Sequence, residues 1–197
     1  MEPRRHTDGR IARGERTRAA IIAAHAALLR EGRISPTAAQ VAERAGVSVR
    51  TIWSTFKDRE ALLTESTEFW LAEDDALWEP IDLTLPLSDR ITVYCRQRVR
   101  RLENIAPAAR SATLAEPFSP VLRVSRRRHL DRMRDQIEHV FAAELDERAP
   151  ADRVLLLNAL VMTVSWPAWS TLRDDYEIGV DAAADAVETT LRALLGS

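Results

Sequence analysis

The chain has 197 residues, 46% of them hydrophobic, and a formal net charge of −2. That length and composition suit one or two small domains with a real core and exclude a disordered chain. No run of about 18 apolar residues marks a transmembrane helix, and the N-terminus lacks the apolar stretch of a signal peptide. Cys95 is the one cysteine, so no internal disulfide is possible, and a cytoplasmic protein without a membrane partner is expected.

The net charge hides an asymmetry. Residues 1–60 hold 12 Arg and Lys against 7 Asp and Glu, a local +5, whereas residues 61–197 hold 16 against 23, a local −7. A local basic excess of this kind suits a polyanionic partner.

Residues 1–14 are polar and carry Gly9 and Gly14 with no apolar period, which predicts a mobile tail. Its Arg4, Arg5, Arg10 and Arg13 have the chemistry to brush phosphates or enter a minor groove. Glu15 to Glu31 reads as the first helix, with Ile21, Ile22, His25, Leu28 and Leu29 forming an apolar stripe and Gly32 ending it. His25 on that stripe, with no second ligand at metal spacing, reads as a packed core histidine.

Thr37 to Phe56 reads as two short helices around a tight turn. Thr37 with Gln40 makes a capping box, Gly46 stops the first helix in a left-handed conformation, and Ser48 caps the second. Val41, Ala42, Ala45, Ile52 and Phe56 fall on the inner faces, and Val47 plugs the turn. Val49, Arg50, Thr51, Trp53, Ser54 and Thr55 are left for the outside. This is the pattern of a helix-turn-helix, whose second helix enters the DNA major groove.

The stretch A-E-R-A-G-V-S-V-R-T-I-W-S-T-F-K-D-R-E-A-L-L, Ala42 to Leu63, resembles the signature of the TetR/AcrR transcriptional regulators. Trp53, Phe56 and Arg59 fill the places of its two aromatic residues and its basic residue. The family usually has Tyr at the first place and Lys at the last. Trp53 keeps only a donor, and Arg59 is a planar, multidentate phosphate partner. The resemblance implies an N-terminal three-helix DNA-binding domain followed by a helical ligand-binding and dimerisation domain. On that reading residues 15–60 are the DNA-binding domain, with the motif at 37–56, and residues 61–197 are the second domain. The fold class is all-α with about nine helices. The residues expected at DNA are Thr37, Ser48, Val49, Arg50, Thr51, Trp53, Thr55, Lys57 and Arg59, and Arg16 and Arg18 stand where family members touch phosphate.

Asp58 caps a fourth helix running from Arg59 to Trp78, closed by Pro80. Another helix opens at Ser88 and carries Ile91, Tyr94, Cys95, Val99, Leu102 and Ile105 on one face, and Pro107 is expected to start a separate short segment. Ser119-Pro120 opens the next helix, which includes Arg126, Arg127 and Arg128 on a solvated face. Arg153 to Arg173 reads as a single helix, apolar nearly all round and kinked at Pro167. The last helix, Val180 to Leu195, is rich in alanine. The apolar surface of these two helices exceeds what one chain covers, and the family resemblance points the same way, to a homodimer interface at Leu156, Leu160, Ala183, Val187 and Leu191.

The resemblance also implies a small-molecule inducer bound among the helices after the DNA head. The expected lining is Trp70, Trp78, Tyr94, Cys95, Phe118, Met133, Met162 and Trp166, with Arg98 and His129 as polar members. No phosphate loop, H-E-x-x-H, G-x-S-x-G or paired-cysteine pattern occurs, and the four histidines are scattered. No enzyme, cofactor or metal is expected. The partners are then double-stranded DNA at a pseudo-palindromic operator, a second copy and the inducer, with the chain acting as a ligand-released repressor. The alternative is a dimeric helical binding module that keeps the helix-turn-helix fold without reading DNA.

Overall fold

The protein is described by a computed structural model covering residues 4–196, with side chains at residue 9 and from residue 11 onward. The expected DNA contacts of Arg4, Arg5 and Arg10 lie outside the described side chains, and Met1 to Pro3 lie outside the described residues. Ten α-helices and no strands occur among the described residues. They are α1 (Arg4–Arg30), α2 (Ala38–Ala45), α3 (Val49–Thr55), α4 (Arg59–Ala76), α5 (Leu87–Ala115), α6 (Pro120–Val140), α7 (Ala142–Asp146), α8 (Pro150–Thr163), α9 (Trp166–Ser170) and α10 (Val180–Leu195). A 3-10 turn at Glu116–Phe118 precedes α6, and a π-turn at Thr171–Asp175 follows α9. No single helix is long and apolar enough to cross a membrane.

Three elements differ from the sequence reading. Helix α1 starts at Arg4 rather than Glu15. Once a stable helix exists, each further residue costs little, and nothing after Pro3 breaks the run. Helix α5 includes Pro107 rather than ending before it. Proline removes one rung of the hydrogen-bond ladder, but Leu102, Ile105 and Ala106 beside it are buried, and their packing carries the helix on. The apolar stretch after Pro150 is two helices and not one kinked helix. Helix α8 stops at Thr163, Ser165 takes an extended conformation, and Pro167 sits in the first turn of α9, where its missing N–H is harmless.

The chain forms two compact units, one of residues 1–72 and 107–125 and the other of residues 73–106 and 126–197. The first therefore extends beyond the domain boundary expected at residue 60 and takes in a later segment. Its core joins Ile21, Ile22 and Leu28 of α1 to Val41 and Ala42 of α2, Ile52 of α3, Phe56 at the end of α3, and Leu62 of α4. A satellite cluster holds Ala26, Leu29 and Trp70, with Phe69 edge-on to Trp70 at 5.7 Å and Arg30 over the Trp70 ring at 4.7 Å. Ser119, fully buried, caps the start of α6 and donates to a Glu60 carboxylate oxygen at 2.7 Å.

The second unit packs α5, α6, α7, α8 and α10 around Tyr94, Leu102, Met133, Phe141, Leu160, Val187 and Trp169. Tyr94 meets Phe141 edge-on at 5.4 Å. The core is crossed by charge. Arg101 and Asp74 are both almost wholly buried and form a bidentate pair, with Arg101 Nε donating to Asp74 Oδ1 at 2.9 Å. Nη1 of Arg101 donates to Gln136 at 2.8 Å, and the guanidinium lies 5.4 Å over the Trp78 ring. Burial pushes the Asp74 carboxyl up, but the hydrogen bonds and charge of Arg101 outweigh it and hold the group below its ordinary range.

The dimer residues expected from the sequence are placed differently. Leu160, Ala183, Val187 and Leu191 are buried inside the one chain, where α8 packs on α10, and Leu156 is partly buried against the same core. The four buried side chains are taken up by a neighbour within the unit, and Leu156 keeps part of its surface. The surfaces left open on these helices are Val154, Leu155 and Met162 of α8 and Ala182 and Ala186 of α10.

Candidate nucleic-acid interface

The helix-turn-helix is built by its caps. The Thr37 hydroxyl accepts from Gln40 N–H, and the Gln40 side chain accepts from Thr37 N–H at 2.9 Å, closing the capping box. Gly46 takes φ 67°, and Val47 N–H returns to the Ala42 carbonyl at 2.9 Å. That left-handed residue turns the chain between α2 and α3. Ser48 caps α3 by accepting from Thr51 N–H at 3.0 Å. Asp58 caps α4 through Ala61 N–H at 2.8 Å.

Burial then sorts α3 into two faces. Ile52 and Phe56 are sealed into the core, at 0% and 1% exposure, while Trp53 is 42% and Val49 38% exposed. Arg50, Ser54, Lys57 and Arg59 are exposed, as are Thr37 and Ser48. Arg50 and Trp53 fall at i and i+3, so they line one outward ridge of α3, and Lys57 follows in the exposed turn after the helix. Thr51 and Thr55 are half-buried. Their hydroxyls are engaged locally, Thr51 with Ser48 at 2.9 Å and Thr55 by donating to the Thr51 carbonyl at 2.8 Å. They retain only acceptor capacity or a weak share in any outside contact.

Sequence reasoning missed the part played by Arg18. It stands on α1, and its Nη2 donates to the Thr55 carbonyl at 2.9 Å. Its guanidinium lies 4.9 Å over the Phe56 ring, and it pairs with Glu65 of α4. Its charge therefore fastens the end of α3 to α1 and α4. Behind this fastening His25 is buried, with Nδ1 3.2 Å from the Ser66 hydroxyl. Burial, with help from the charge of Arg59, lowers its pKa to about 4. It is a neutral core histidine.

The expected ligand-lining residues do not all come together. Trp70 belongs to the satellite core of the first unit, and Phe118 stands on that unit's surface at 83% exposure. Met162 is 68% exposed on α8. The alternation of apolar and polar positions around α8 is too weak to have shown this. Trp78, Tyr94, Cys95, Arg98, His129, Met133 and Trp166 all lie in the second unit, with Tyr94, Cys95, Arg98 and Met133 buried. Burial pushes the Cys95 thiol up to about 12, so it is inert as a nucleophile.

No family model and no curated protein matches the chain. Among solved structures it resembles a transcriptional regulator from Rhodococcus sp. Rha1, with 16% identity, a TM-score of 0.60, and coverage of 93% of this chain and 96% of that one. At that identity the likeness establishes that the two chains share an all-helical fold over nearly their whole length.

Proposed function

We propose that the chain is a sequence-specific DNA-binding transcriptional regulator of the TetR/AcrR type, a repressor released from its operator by a small-molecule ligand. One observation carries the reading. Helix α3 buries Ile52, with Phe56 sealed in just after it, and leaves Arg50 and Trp53 on its exposed face and Lys57 exposed in the turn that follows, at the end of the chain that holds the basic excess. A short capped helix held this way presents its outer face to a major groove, and the arginine is the side chain best suited to a guanine edge. The likeness to a solved transcriptional regulator supports the same class.

In this reading Arg50 reads a base, while Thr37, Ser48, Trp53, Lys57 and Arg59 position the backbone of the duplex. A single helix-turn-helix reads only a few base pairs, so a second copy is required. The exposed Leu155 and Met162, two turns apart on α8, and the small exposed Ala182 and Ala186 of α10 supply the surface for it. A gel shift of the full chain on the DNA flanking its own gene, against excess competitor DNA, tests the proposal. A shift that survives competitor supports it, and one abolished in proportion to competitor contradicts it.

A further inference from the structure

Arg98 lies on α5 in the core of the second unit and is 2% exposed. Its Nε donates to the Val164 carbonyl at 2.8 Å, at the C-terminal end of α8. Nη1 and Nη2 are buried and meet no acceptor among the described residues. No carboxylate is left for them. Asp74 is the one carboxylate among the buried polar residues described, and it is held by Arg101 at 2.9 Å and flanked by Arg132 at 3.7 Å. The carbonyl dipoles at the end of α8 offset part of the charge. What remains is a buried cation with two open donors, which is costly unless an anion completes it. Water can satisfy the donors but cannot neutralise the charge.

Two more buried polar atoms of the same unit have no partner among the described residues. The Tyr94 hydroxyl, one turn before Arg98 on α5, is buried without a partner, and so is Nε2 of His129 on α6. The charge of Arg98 acts on both side chains. Burial first, and Arg98 second, lower the His129 pKa to about 4, so the ring is neutral at pH 7 and donates from Nε2 in one tautomer. Tyr94, pushed up to about 12 by burial, stays a phenol that donates. Tyr94 belongs to the apolar core that includes Ile91, Leu102, Met133, Ile137 and Val164, and the Arg101–Asp74 pair acts on the same side chains.

We propose that the second unit binds an organic monocarboxylic acid with an apolar body. Its two carboxylate oxygens take the fork of Arg98 Nη1 and Nη2, and Tyr94 O–H and His129 Nε2–H complete the donor set. One uncompensated positive charge beside a neutral imidazole suits a single negative charge, and disfavours a phosphate ester of charge about −1.5 to −2. The apolar neighbours suit a hydrocarbon or aryl body. The acid is then the class of ligand that the regulator reading requires, and only this consequence rests on that reading.

The test uses the full chain without DNA. Thermal unfolding and titration calorimetry are run with acetate, benzoate, octanoate, octanamide and sulfate. Benzoate or octanoate is expected to raise Tm and to titrate at one site per chain, with acetate weaker and octanamide and sulfate without effect. Arg98→Met removes the buried charge and keeps much of the volume. It is expected to be at least as stable as the parent without acid, and to bind the acid about 10–100-fold more weakly. Tyr94→Phe deletes one hydroxyl and is expected to weaken the acid several-fold with the fold intact. No response to any carboxylate, an equal response to octanamide or sulfate, or undiminished binding in Arg98→Met would overturn the site. Should Arg98→Met fail to fold, unchanged affinity in Tyr94→Phe overturns it. A chain that takes the acid yet ignores DNA keeps the site and loses the regulator reading, and a chain that binds DNA but no acid does the reverse.

Discussion

The guanidinium of Arg18 lies 4.9 Å over the ring of Phe56 and caps the end of α3 by donating to the adjacent Thr55 carbonyl. A helix of seven residues is too short to hold its own direction, so its orientation comes from such fastenings. Arg18→Ala removes one cation–π contact, the charged hydrogen bond to Thr55 and the partly exposed ion pair with Glu65, and should lower stability by about 1–3 kcal/mol. Chemical denaturation measures that. DNA affinity should fall on every sequence alike, because no base contact is lost. A variant of unchanged stability whose DNA affinity merely became less salt-dependent would make Arg18 a phosphate contact instead.

Arg50 and Arg59 should separate by role. Arg50→Ala is expected to relax preference at one operator position by about 1–3 kcal/mol. Arg59→Ala should weaken all sequences equally and reduce the salt slope by about one unit. Competition binding against single-position operator variants at two salt concentrations reads both effects. Equal losses on every sequence for both variants would remove Arg50 as the base reader.

The burial of Leu160 and Val187 moves the dimer test to the surface. Leu155→Asp adds a charge at a position that is 66% exposed, so the isolated chain should fold normally. Sedimentation should show a folded monomer with lost operator affinity. Val187→Asp, buried at 4% exposure, should instead unfold the second unit. A Leu155→Asp protein that remained a dimer would place the contact elsewhere.

Acid should weaken both units. His25 and His129 each have folded pKa values of about 4 against 6.5. The unfolded chain therefore binds their protons first. Stability is full above about pH 6.5 and falls as the pH drops toward 4, by roughly 1.4 kcal/mol per unit for each histidine. The lowered Asp74 adds to the loss below its unfolded value of 3.8. Denaturation series at pH 7.5 and 5.0 should show this slope, and His25→Gln should flatten it in the first unit alone. A pH-independent stability between those values would mean the two rings are not buried neutral.

What the sequence made legible was local. Thr37 with Gln40, Gly46, Ser48 and Asp58 act on backbone groups within a turn of themselves, so their chemistry could be read from spacing alone. The inward pair Ile52 and Phe56 followed from a period of four. What spacing does not carry is the identity of the partner. The apolar positions Leu160 and Val187 were correctly marked for burial, but nothing in the pattern said that the covering helix belongs to the same chain. Met162 and Phe118 looked like lining because they are large and apolar, and both stand in solvent. Pro107 reads as a breaker until the buried residues beside it are known. The partners of Arg18 lie 37 and 47 positions away, beyond the reach of any local pattern.

In the proposed reading α3 meets DNA as one of a symmetric pair. Selection of the full chain on a random-sequence duplex library, followed by footprinting of the enriched sequences, tests it most directly. The expected product is a pseudo-palindrome whose half-site centres lie roughly 34–36 Å apart, or a multiple of that, and whose enrichment is lost with Arg50→Ala. Enrichment of no sequence, or of one that Arg50→Ala selects equally well, would contradict it.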